Sequence, residues 1–134
     1  MRVFVSCQSI DRKPANSLVR GLLSAGVEVA HSPCNPLDGS DERWASWYED
    51  GLRKALDGCD AFVIVVDEGW DSSTWMAIEA ETAIGLAARF SIKRILFWNP
   101  ESVVVKANGM LPYLKIPLPL ELEDVVREIA SKSE

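Results

Sequence analysis

Ala61-Phe62-Val63-Ile64-Val65-Val66 is a run of six apolar residues closed on both sides by acids, Asp60 and Asp67. A strand with one wet face alternates polar and apolar side chains, and this one does not. Both of its faces must therefore be covered, which is the situation of a central strand in a parallel sheet. β-Branched residues, which suit a pleated backbone, fill its second half.

The chain on either side alternates in kind. After the run, residues 67–74 form a loop ending in Asp71-Ser72-Ser73, side chains suited to an N-cap. Residues 75–89 then read as a helix that is apolar around most of its circumference and so heavily buried. Arg94 to Trp98 reads as a strand stopped by Asn99-Pro100. Before the run, Val3-Phe4-Val5 is a short buried strand. Pro14 suits the first turn of a helix, with Leu18, Val19, Leu22 and Leu23 at helical spacing and Gly26 at its end. Residues 27–30 are a second strand, and residues 31–42 a loop rich in Pro, Asn, Asp, Gly and Ser. Residues 43–57 are a helix with Trp44, Trp47, Leu52 and Leu56 as its apolar stripe. Residues 102–114 carry no clear assignment, with Val103-Val104-Val105 open to strand or helical turn. Residues 115–118 fit a short edge strand that tolerates proline, and residues 121–131 an amphipathic helix with Leu122, Val125, Val126 and Ile129 inward. The pattern predicts one α/β domain over residues 1–134. Its expected form is three-layered and flavodoxin-like, a five-stranded, mostly parallel sheet with helices on both faces.

Composition narrows the function. The chain has 134 residues, 48% of them hydrophobic and 25% charged, ordinary values for a globular domain. Its formal net charge of -6 repels phosphate backbones and argues against nucleic acid as a partner. No stretch approaches the roughly 20 apolar residues of a membrane helix, and the first residues lack a signal-peptide core, so a cytoplasmic chain away from the membrane is expected. Cys7, Cys34 and Cys59 include no Cys-x-x-Cys pair. His31 is the only histidine, so neither a histidine metal cluster nor a Ser-His-Asp triad can be assembled.

In open α/β sheets, ligands bind beyond the carboxyl ends of the strands. The groups expected there are Ser6, Cys7, Gln8, Ser9, Asp11 and Arg12 after the first strand, residues 31–40 after the second, Asp67, Glu68 and Trp70 after the third, and Trp98 and Asn99 after the fourth. Glu79 stands apart from these. It follows Trp75-Met76-Ala77-Ile78 and precedes Ala80, so its carboxylate must face a cleft, find a partner or take up a proton. Trp75, one helical turn earlier, shares its face. The pair suits a sugar-bearing ligand; the plainer reading is a rim glutamate beside a core tryptophan.

These segments together resemble a TIR (Toll/interleukin-1 receptor) domain of the bacterial kind. Val3-Phe4-Val5-Ser6 with Asp11 resembles the family's first strand and loop, although Cys7-Gln8-Ser9-Ile10 makes that loop longer and leaves out an aromatic. Pro36-Leu37-Asp38-Gly39 followed by Trp44 resembles its second loop and helix. Residues 60–66, Ser72-Ser73 and Trp75-x-x-x-Glu79 resemble its third strand and the helix after it. The resemblance implies cleavage of the nicotinamide–ribose bond of NAD, with cyclisation or transfer of the ADP-ribosyl product as variants, in bacterial signalling or defence. Glu79 would then be catalytic, and Trp75, Ser6, Asp11, Arg12, Trp44 and Asp67 would line the substrate. NAD is substrate in this scheme, and no cofactor or metal is implied. The resemblance equally implies a non-catalytic module that associates with itself or a TIR-type partner through Pro36, Leu37, Asp38 and Gly39. The chain is also similar to nucleoside 2-deoxyribosyltransferases, through Asp67, Glu79 or Glu81, the stretch Glu81-Thr82-Ala83-Ile84-Gly85-Leu86-Ala87 and Ile95-Leu96-Phe97-Trp98-Asn99-Pro100.

Overall fold

The computed structural model describes residues 1–31, 51–70, 74–88, 94–102 and 121–131. The described elements run β1 (Arg2–Ser6), α1 (Lys13–Ser24), β2 (Glu28–Ala30), α2 (Leu52–Asp57), β3 (Ala61–Val65), α3 (Thr74–Ala88), β4 (Arg94–Trp98) and α4 (Leu122–Ser131). The strands form one sheet in the order β2-β1-β3-β4, and every pairing is parallel. The sheet thus has four strands among the described residues. The expected fifth, at 115–118, lies outside them, as do Trp44, Trp47 and the first part of the helix expected over 43–57.

Every residue of β3 is buried, because its side chains feed two cores in alternation. Phe62, Ile64 and Val66 join Phe4, Leu52, Leu56, Met76, Ala80 and Ala83 on the α2–α3 side. Ala61, Val63 and Val65 join Val3, Val5, Leu18, Leu22, Leu96, Val125 and Ile129 on the α1–α4 side. The strand period of two divides one apolar run between two helical layers. Phe4 and Phe62, partners in register, stack with ring centroids 5.5 Å apart.

Helix α1 begins one residue before the expected Pro14 and closes with a Schellman motif. Gly26 N–H donates to Leu23 O at 3.1 Å and Val27 N–H to Leu22 O at 3.0 Å, with Gly26 at φ +81°. Val27, expected in the second strand, therefore belongs to the helix cap. Leu23, expected in the apolar stripe, is 56% exposed. Adjacent helical residues point about 100° apart, and Leu22 takes the inward direction.

Candidate functional site

Helix α1 follows β1 onto one face of the sheet, and α3 follows β3 onto the other. Because β1 and β3 are neighbours, the loops leaving them diverge. This is the topological switch point at which open α/β sheets hold ligands.

Glu79 lies here, on the side of α3 that faces the sheet. It is 2% exposed, and Ser6 at the end of β1 donates its hydroxyl to Glu79 Oε1 at 2.9 Å. Of the outcomes open to a carboxylate in apolar surroundings, the chain uses a hydrogen-bonded partner. Glu81, two residues on, is exposed.

A second polar cluster joins the two loops. Gln8 Nε2 donates to Asp67 Oδ1 at 2.5 Å and to the carbonyl of Glu68 at 2.7 Å. Arg12 Nη1 reaches Asp67 Oδ2 at 3.3 Å and the same carbonyl at 3.2 Å. Asp67 is 3% exposed, so its charge is met by donors from the other loop. The carbonyl of Glu68 is presented by a turn in which Trp70 N–H donates to Asp67 O at 3.0 Å and Gly69 adopts φ +85°. Glycine takes that φ most freely, and the backbone conformation, not space, is what favours it here, since an added Cβ would make only an ordinary contact with Gln8 Oε1 at 3.5 Å.

Cys7 stands between the two clusters. Burial pushes its thiol up to about 12, and the negative charges of Glu79 and Asp67 add to the effect, against a smaller opposing influence from Arg12. The thiol stays protonated and is a poor nucleophile at neutral pH.

Ser6, Arg12, Asp67 and Glu79 are therefore gathered around the ends of β1 and β3. Asp11 is exposed; its N–H donates to Ser9 Oγ at 3.2 Å, and Arg12 pairs with Asp67. Trp75 lies in the first turn of α3, with its side chain outside what is described; Trp44, Pro36, Leu37, Asp38 and Gly39 also fall outside the described residues. Trp70, placed by sequence among the groups at the strand ends, is a core residue at 1% exposure, and its indole N–H meets no acceptor among the described residues. Gln8 carries more of the site than its sequence suggested; its one signal was position in the loop after β1.

Among the described residues, no three His, Cys, Asp or Glu side chains are placed to hold a metal ion, and no helix is long and apolar enough to cross a membrane. A hollow of about 370 Å³ opens on the other side of the sheet, between the start of α1, the end of β4 and the start of α4, with Lys13, Trp98, Glu101 and Leu122 in its lining.

No family model matches the chain, and no curated protein matches it. Among solved structures it is similar to the TIR domains of the activated Roq1 resistosome, which directly recognises the pathogen effector XopQ. The identity is 16%, the TM-score 0.57, and the match covers 98% of this chain and 84% of that one. The chain thus has a TIR-like α/β fold.

Proposed function

We propose that this chain is a TIR-like NAD glycohydrolase, a nucleosidase that cleaves the bond between nicotinamide and ribose with Glu79 as its catalytic carboxylate. The observation that carries the reading is the buried Ser6–Glu79 pair, 2.9 Å apart beside the switch point. Chemistry makes a lone carboxylate sufficient. The nicotinamide nitrogen of NAD is already cationic, so the ring departs neutral and needs no general acid. Positive charge then develops at the ribose carbon, a carboxylate beside it stabilises that charge as glycosidase carboxylates do, and water bonds to the carbon and loses a proton to leave ADP-ribose. At 2% exposure Glu79 does not meet solvent, so access to the ribose requires an opening step.

A second reading is suggested by the fold neighbour, a TIR domain of the activated Roq1 resistosome: an interaction module that works by self-association without catalysis. One experiment divides the two. Purified protein at high concentration, with a crowding agent, is incubated with NAD, and nicotinamide release is followed by chromatography beside Glu79→Gln. Release by the parent alone establishes the enzyme. Release by neither, with self-association retained by both, establishes the module. Release of base from deoxynucleosides but not NAD would point to the deoxyribosyltransferase-like reading.

A further inference from the structure

We infer that Ser6 is a positioning residue: its hydroxyl fixes the orientation of the Glu79 carboxylate for the reaction. The inference rests on the reading of Glu79 as catalytic.

Ser6 breaks the pattern of its strand. Phe4 faces the α2–α3 core, and strand alternation sends Ser6 to the same face. Its partner in register is Ile64, a member of that core. An aliphatic side chain would continue the packing here. Instead a hydroxyl is completely buried, at 0% exposure, a placement that costs free energy unless the group is bonded. Its bond runs to Glu79 Oε1.

The two ends of this bond differ in stiffness. Ser6 closes β1 and lies within the ladder to β3, so its Oγ has one short, restricted torsion. Glu79 reaches from α3 through three torsions. A donor on the rigid element removes freedom from the longer side chain, the condition for a preorganised site. A hydrogen bond to the ionised form also favours the carboxylate over the protonated acid. Both effects act on the chemical step more than on substrate binding.

The test is steady-state NAD cleavage by parent, Ser6→Ala, Ser6→Thr, Ser6→Cys and Glu79→Gln, each checked by thermal melting, with kcat followed across the acid range. Ser6→Ala is expected to lower kcat by about tenfold to a hundredfold, the equivalent of a buried hydrogen bond to a charged group, with KM nearly unchanged. Its acid limb should move to higher pH, because the ionised carboxylate has lost a donor. Ser6→Thr should recover most of kcat, and Ser6→Cys, a weak donor, should fall between. If Ser6→Ala does not fold, Ser6→Cys carries the same comparison. An active parent and dead Glu79→Gln, with kcat and acid limb unchanged in Ser6→Ala, overturn the positioning role and leave the catalytic reading intact. A fall in kcat with an unmoved acid limb and no recovery in Ser6→Thr assigns Ser6 to packing and also overturns the role. A parent inert toward NAD overturns both readings.

Discussion

Gln8 and Asp67, 59 residues apart in sequence, meet at 2.5 Å across the gap between the loops that leave β1 and β3. The same carboxylate takes Arg12 at 3.3 Å. The two donors differ in setting. Gln8 is buried, whereas the Arg12 side chain is 37% exposed. Water and salt screen the second contact and not the first.

Unequal mutational costs follow. Gln8→Ala should lower stability by about 1–3 kcal/mol, since it removes a donor from a buried acid. Arg12→Ala should cost less than about 1 kcal/mol, and its cost should shrink further in high salt. Urea unfolding at two salt concentrations measures both. Equal costs, or a salt-sensitive Gln8→Ala, would contradict this division.

Helices α1 and α4 pack so closely at Gly21 that a Cβ there would come within 2.8 Å of Val126 Cγ2. Alanine is the better helix former by about 1 kcal/mol, but the contact falls on a stiff branched side chain. Gly21→Ala alone is expected to destabilise by about 1 kcal/mol, within the usual range for overpacking. In a Val126→Ala background the same change should stabilise. A double-mutant cycle by denaturant melts reads the change of sign.

The thiol of Cys7 is expected to resist alkylation at neutral pH in the native state and to react once the chain is unfolded. The folded protein holds the thiol proton up to about 12, whereas the ordinary value is 9.0. Between those values the unfolded chain binds fewer protons than the native one, so stability falls as pH rises through that window. Cys7→Ser should shallow that slope, leaving the part due to Cys59, which burial pushes up to about 11.

Phe62 is fully buried and stacked on Phe4. Phe62→Ala should cost about 3–5 kcal/mol through lost burial and the cavity left behind. Against a typical stability of about 5–15 kcal/mol, that is enough to leave a marginal fold by calorimetry.

Much of the fold was legible because burial on both faces leaves a local trace. Arg94–Trp98 has its bounds in the sequence, since Asn99-Pro100 stops the run. β3 ends one residue short of the apolar run, where Val66 gives its N–H to Trp98 O at 2.7 Å. Leu23 and Trp70 were harder, because apolarity does not say which of two neighbouring residues turns inward or that a loop tryptophan is core. Glu79 announced itself as an acid in apolar company. The partnership of Arg12 with Asp67 did not, because it depends on β1 lying beside β3, and hydrophobic period carries no strand order.

Ser6 and Glu79 are separated by 73 residues and meet only when β1, β3 and α3 have docked. A ribosome adds about 5–20 residues each second, so for several seconds the emerging chain holds one half of this pair without the other. No fragment confined to either half has the assembled carboxylate. The contact therefore forms only after α3 has been made, before β4 is needed, and its appearance during synthesis reports that β1, β3 and α3 have docked.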